Sequence, residues 1–290
     1  MPERRALLFD IAALSVVVLS ELSGCKKAGE GEMPEIKFDL GKNIVETARM
    51  SGVPRFQARQ VASTISYGIE AIASEIPAHF TRSGYEIVWQ PIFAFSMYAS
   101  DKNNSIVDTA VLQLDNKIKT HEAAQAFVEQ TIAQFAKGKW QRYHDPVWDV
   151  LLTGRSSLLN ESGQIASTLM TIDPAYKIPT KDWPTVTSNG AYWRWVGDEV
   201  YAELSVTQLG SEASAGDSRV LDYRLNLEFQ LLAVMLKRDA ENLAEKNKEG
   251  NAKGWNSTVK YEASKKEQAA LNKRLEANAI KRGDSVVTKP

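Results

Sequence analysis

From 223 to 229 the chain sets Tyr223, Leu225, Leu227 and Phe229 at every second position, with Arg224, Asn226 and Glu228 between them. A strand sends successive side chains to opposite faces, so this order predicts a half-buried strand with one apolar and one polar face. A helix would scatter the same residues around its circumference. Upstream, Ala202, Leu204 and Val206 share one face of 200–209, and the segment 192–196 precedes it across a Gly197-Asp198 turn. Two alternating runs joined by a tight turn predict a β-hairpin. Any fold for this chain must therefore supply a sheet with a covered face.

The remaining segments set out what covers it. Aromatic and branched residues fill 85–98 and 105–114, with polar 100–104 between them, a second predicted hairpin. Val61, Ile65, Ile69, Ile72 and Ile76 recur at helical spacing between Pro54 and Pro77, which predicts one amphipathic helix of about six turns. Thr120 can cap another helix, with Ala123, Phe127, Ile132 and Phe135 as its core stripe and Lys137, Gly138 and Lys139 at its end. Shorter strand candidates lie at 148–152 and 164–172. Beyond about 231 the period is again helical through Leu232, Met235, Leu236 and Leu243. A break at 250–254 precedes a charged helix over 261–280, whose apolar content is thin: Ala269, Leu271, Leu275 and Ile280. So thin a stripe packs along one narrow seam or stays partly solvated, as a peripheral helix or as a partner-binding arm. The class expected is α+β: an antiparallel sheet with helices packed on one side and a charged C-terminal helical tail.

The first residues read as an address. Arg4 and Arg5 are followed by a stretch, 6–19, that is apolar apart from Asp10 and Ser15, the length of a signal-peptide apolar region and too short to span a bilayer. Next comes Leu22-Ser23-Gly24-Cys25, which resembles the lipobox of bacterial lipoproteins: a branched apolar residue, two small ones, then the cysteine that receives diacylglycerol. Cys25 is the chain's single cysteine, so it has no disulfide partner within the chain. The resemblance implies cleavage before Cys25 and anchoring in membrane lipid through its acyl chains. Lys26, where retained inner-membrane lipoproteins of enteric type carry Asp, implies an outer-membrane lipoprotein facing the periplasm. Residues 26–35 are polar and Gly-containing, a flexible tether. The expected organisation is 1–24 signal peptide, 25–40 lipidated cysteine and tether, 41–236 an α+β domain, and 237–290 the helical tail.

Charge narrows the function classes. Residues 1–24 hold two basic and three acidic side chains, so 33 of each remain beyond them and the formal net charge there is zero. That argues against a general nucleic-acid binder. His79, His121 and His144 are too widely spaced for a zinc pattern, and neither a metal nor a cofactor is expected. His144-Asp145, with Asp149 nearby, could form an acid/base pair, although His-Asp-Pro is also an ordinary turn sequence. Gly154-Arg155-Ser156-Ser157 lacks the spacing of a nucleophile elbow, and Gly41-Lys42 lacks the upstream glycine of a phosphate loop.

Binding is the remaining chemistry. Trp193 and Trp195 share one strand face; they either fill the space between sheet and helix or, facing solvent, anchor an interface. Asp101 in one polar loop, and Glu212 and Asp217 in another, suit a basic partner surface. The stretch 114–143 (LDNKIKTHEAAQAFVEQTIAQFAKGKWQRY), with 151–158 (LLTGRSSL) and Tyr192-Trp193-Arg194-Trp195, resembles the type VI secretion immunity lipoproteins that neutralise phospholipase effectors. The resemblance implies a non-enzymatic protein whose partner is a secreted effector. Two alternatives stay open, a structural or assembly lipoprotein of the envelope and an anchored hydrolase using His144 with Asp145 or Asp149.

Overall fold

The computed structural model describes residues 35–51, 56–69, 76–89, 92–101, 104–114, 118–145, 149–150, 152–165, 171–188, 190–209, 221–252 and 257–286. Its largest element is an eight-stranded antiparallel sheet, ordered β2 (Gln57–Val61), β3 (Thr64–Ile69), β6 (Ile92–Ser100), β7 (Ile106–Leu114), β11 (Tyr223–Leu231), β10 (Val200–Gln208), β9 (Ala191–Gly197) and β8 (Gln141–Arg142). A smaller sheet pairs β1 (Ile36–Phe38) in parallel with β4 (Ala78–Phe80), which pairs antiparallel with β5 (Ile87–Trp89). The fold is α+β, as the alternation predicted.

One face of the large sheet is apolar and covered. Leu225, Leu227 and Phe229 lie beside Ala202, Leu204 and Val206, and all are buried. The small sheet, α2 (His121–Lys137) and α3 (Trp183–Thr187) close over this face in one continuous core. Rings dominate its centre: Phe80 stacks on Phe229 at 4.6 Å, and Phe38 meets Phe95 at 4.9 Å. Thr120 caps α2 by accepting from the Ala123 N–H at 3.1 Å, which satisfies one of the unpaired donors of the first turn. The stripe that α2 buries is His121, Ala124, Gln125, Val128, Thr131 and Phe135. Ala123 is exposed, and Phe127 and Ile132 only flank the seam. Gln125 and Thr131 enter a buried face because each has a carbonyl to bond, Ile178 O and Phe127 O.

Four other expectations change. The helix expected from Pro54 to Pro77 is a hairpin over its described part, β2 and β3 joined at Ala62-Ser63 with Ala62 at φ 52. Residues 54–55 and 70–75 of that span lie outside the described residues. The tether boundary at 40 moves back, because Ile36, Phe38 and Leu40 are core residues at 0–1 % exposure. A short helix, α1 (Ile44–Met50), follows, capped by the Asn43 side chain on the Val45 and Glu46 N–H groups. The turn of the late hairpin is Asp198-Glu199, with φ 47 and 61, and Gly197 is the last residue of β9. Both turn residues take the left-handed conformation that a two-residue hairpin loop demands. Gly197 is fixed by contact, since a Cβ there would sit 2.3 Å from the Tyr85 ring. At the candidates 148–152 and 164–172 the described residues form only isolated bridges, Leu152 to Val286 and Leu159 to Ile165.

The tail is two helices, α4 (Leu232–Ala252) and α5 (Ser257–Lys281). Met235 is the described residue of α4 that is buried, and the described side chains from Leu236 to Glu249 are exposed. The second half of α5 packs along a narrow seam, where Leu271, Leu275 and Ala279 join Val150, Leu152 and Val286 in a cluster separate from the main core, while Ala269 and Ile280 of the expected stripe are exposed. Polar bonds reinforce the seam, among them Arg274 to Glu161 and Asn272 Nδ2 to Asp149 O at 3.2 Å.

Candidate functional site

The second face of the large sheet carries the polar half of each alternating strand. Arg194 on β9, Glu203 on β10 and Glu228 on β11 are successive cross-strand neighbours in one row. Arg194 Nε donates to Glu203 Oε2 at 2.8 Å, and its Nη1 lies 3.6 Å from Asp149 Oδ2. Tyr201 Oη donates to the same Glu203 oxygen at 2.7 Å. Glu228 accepts from Gln230, whose side-chain oxygen accepts from Arg238 Nη2 of α4 at 2.7 Å. On β8, Arg142, in register with Trp195, donates to the carbonyls of Leu152 and Thr171. The Tyr143 ring meets Tyr201 edge-on at 5.0 Å.

Burial and charge set the protonation of these groups. Burial pushes the Tyr143 phenol up to about 12, with Asp145 and Asp149 adding to it. Burial also holds Tyr201 well above the ordinary tyrosine value, helped by Glu203, so it stays a donor. Burial works against the charge on Arg194, but Tyr201, Glu203 and Asp149 outweigh it and its pKa is raised. At Glu228, where no guanidinium bonds the carboxylate directly, burial raises the pKa. An acid raised on folding binds more protons folded than unfolded between the two pKa values, so stability falls as pH rises through that window. Glu228→Gln, which keeps an acceptor for Gln230 and does not titrate, is therefore expected to raise the melting temperature at pH 7. It should leave it unchanged below about pH 4, where both forms of the acid are protonated. Calorimetry at the two pH values checks this, and an equal gain at both would remove the titration argument.

The sequence-predicted residues are scattered. Trp193 and Trp195 are 1 % and 3 % exposed, so they are not surface anchors. Alternation turns them to the covered face, where Trp195 stacks on Phe135 and Trp193 on Trp183. Asp101 is exposed at the end of β6, its N–H bonded to Ser63 O at 2.9 Å. Glu212 and Asp217 lie outside the described residues, as do Leu22, Ser23, Gly24 and Cys25. Asp145 and Asp149 come together through the Asp145 N–H, which donates to Asp149 Oδ2 at 2.7 Å, while the same carboxylate faces Arg194. His144 is half-buried beside them. His121 shares a hydrogen bond with Tyr223 Oη in the core, and His79 lies 3.2 Å from Glu35. Ser156 is fully buried, donating to the Asp284 carboxylate and accepting from Arg282 Nη2 at 2.7 Å. It clamps the end of the tail to the body.

Arg194, Glu203, Tyr201 and Glu228, which the sequence reading did not single out as a site, form a charged row across β9, β10 and β11. Their signal was available, because alternation places these four on one sheet face and strand register makes them neighbours. Among the described residues no cluster of three or more His, Cys, Asp or Glu side chains could hold a metal ion, and no helix is long and apolar enough to cross a membrane. No protein-family model, curated protein or solved structure matches the chain.

Proposed function

We propose that this chain is a lipid-anchored envelope protein that acts by binding, an immunity protein that captures and inhibits a secreted lipase-type effector at the membrane surface. The observation that carries the reading is Leu22-Ser23-Gly24-Cys25 behind an apolar run, with Cys25 the single cysteine. Two features support it. The fold's first described strand begins at Ile36, eleven residues after Cys25, a short tether that keeps the body close to the lipid. The charged side chains of the second sheet face are largely spent on one another, as in a rigid scaffold whose work is done by its surface. The exposed length of α4 favours a second reading, an assembly lipoprotein that docks other envelope components through its tail.

Lipidation is the first test. The full chain expressed in a Gram-negative host is expected to incorporate labelled palmitate and sediment with membranes, whereas Cys25→Ser incorporates none and is released to the soluble fraction. Label retained in Cys25→Ser removes the anchor from the proposal. Inhibition is the second: the detergent-solubilised chain should hold one secreted enzyme in fixed stoichiometry and suppress its turnover. A chain that binds only envelope machinery supports the assembly reading instead.

A further inference from the structure

Strand β2 is the terminal strand of the large sheet, and among the described residues nothing pairs with its outer side. All five of its residues are exposed. A strand alternates the direction of its N–H and C=O groups, so every second residue presents an unpaired donor and acceptor outward, a template for another extended chain. Beside this edge lies a groove of about 340 Å³ between the hairpin and α1, lined by Val45, Ala58, Arg59, Gln60, Ile65 and Tyr67 among others. Ala58 and Gln60 face the groove together with their cross-strand neighbours Tyr67 and Ile65. Val45 is 54 % exposed on its rim.

Arg59 borders the groove through the strand, while alternation directs its side chain to the other side from Ala58 and Gln60, in register with Ser66. Its guanidinium bonds only the Gln57 amide at 3.3 Å, and no carboxylate pairs with it among the described residues. Among the described residues the other charges at this end are Lys42, which pairs with Asp39, Glu46 and Arg49 on α1, and Asp101. Asp101 lies beyond β3, about 10 Å from the edge at the usual strand spacing and so largely screened from an incoming strand.

We infer that the β2 edge is a docking site for an extended segment of a protein partner, apolar where it faces the groove and acidic opposite Arg59. The added strand satisfies the outward backbone groups of β2, sets an apolar side chain beside Ala58 and Gln60 at the groove, and pairs a carboxylate with Arg59. This inference rests on the protein-binding reading and gives that binding a place. A second copy of the chain fits poorly, because two β2 strands paired antiparallel about their midpoints would oppose Arg59 to Arg59.

The test uses the full chain in detergent and a capped eight-residue peptide of alternating Val and Glu, followed by fluorescence anisotropy. Saturable one-to-one binding is expected, with an alternating Val and Lys peptide about three- to tenfold weaker. Arg59→Glu, at an exposed position, should reverse that preference, and N-methylation of the alternate peptide amides that face the protein should abolish binding. Binding that ignores both the peptide charge and Arg59→Glu overturns the inference, as does no binding, or self-association of the chain that Arg59→Glu changes. Lipidation and effector inhibition are read separately, so a failed edge leaves the proposed function standing and a failed function leaves the edge result intact.

Discussion

Replacing Trp195 with alanine is expected to lower the unfolding free energy by about 3–5 kcal/mol, read from the midpoint of urea denaturation. Its indole is 3 % exposed and stacks on Phe135 with ring centroids 3.8 Å apart and planes 6° from parallel. Phe135 meets Trp140 edge-on at 5.2 Å, and Trp140 in turn packs near Phe80 and Phe229. Removing the indole thus opens a cavity where the end of α2, strand β9 and the small sheet converge. Partial collapse recovers little, because the neighbours are themselves rigid rings. Domains of ordinary stability have about 5–15 kcal/mol in total, so the variant should lose about a fifth or more of it. A loss under about 1 kcal/mol, in a chain that still folds, would mean that this stack does not hold the sheet to α2. The same variant separates the two roles that Trp195 could have had. A surface anchor would leave stability nearly untouched and weaken only binding.

Why that residue could be read two ways from sequence shows what the sequence does and does not carry. Alternation told that Trp193 and Trp195 look the same way, and it told that Leu225, Leu227 and Phe229 do. It does not say which face a helix will cover. Strand register decides that, by placing Trp193 beside Leu204 and Leu204 beside Leu227. The hairpin of β2 and β3 was hidden by arithmetic. Ile65 and Ile69 are four apart, which suits a helical turn and is also two strand periods, and Tyr67 between them keeps the even count. Gly68, and the Thr and Ser content of 63–66, weigh against a helix, yet the turn at Ala62-Ser63 carries no Gly or Asn to announce it. Ile36, Phe38 and Leu40 were assigned to the tether because three apolar residues make too short a run to be distinctive. Their partner strand, β4, lies some 40 residues away, and a parallel pairing leaves no local turn signal. The α4–α5 tail was legible because its stripe is thin in the sequence and correspondingly narrow in the fold. The polar network was less so, since Asp149 reaches Arg194 from a loop whose path no periodicity describes.

That network yields the second large effect. Arg194→Met is expected to cost about 3–5 kcal/mol at neutral pH, toward the lower end because the Glu203 side chain keeps 22 % exposure. The methionine fills much of the volume, so packing is not the main loss. What remains is the Asp149 carboxylate, 3 % exposed, and the Glu203 carboxylate, both facing an apolar side chain in place of a guanidinium. Glu203 keeps its bond from Tyr201, and Asp149 keeps the Asp145 N–H, so neither is wholly stranded. Glu203→Gln alone should cost less, since Arg194 still faces Asp149 and the amide oxygen can still accept. The double variant Arg194→Met/Glu203→Gln is then expected to be more stable than Arg194→Met by about 1–2 kcal/mol, because one of the two uncompensated charges is gone. A double-mutant cycle on urea unfolding measures the coupling directly. Additive losses would show that Arg194 and Glu203 do not act as a pair, and that the row across β9, β10 and β11 is a set of separate surface bonds. A coupling of the expected size would establish the second face as a rigid electrostatic plate. Such a plate resists deformation when a partner docks elsewhere, so the β2 edge could present its unpaired backbone without first having to be ordered.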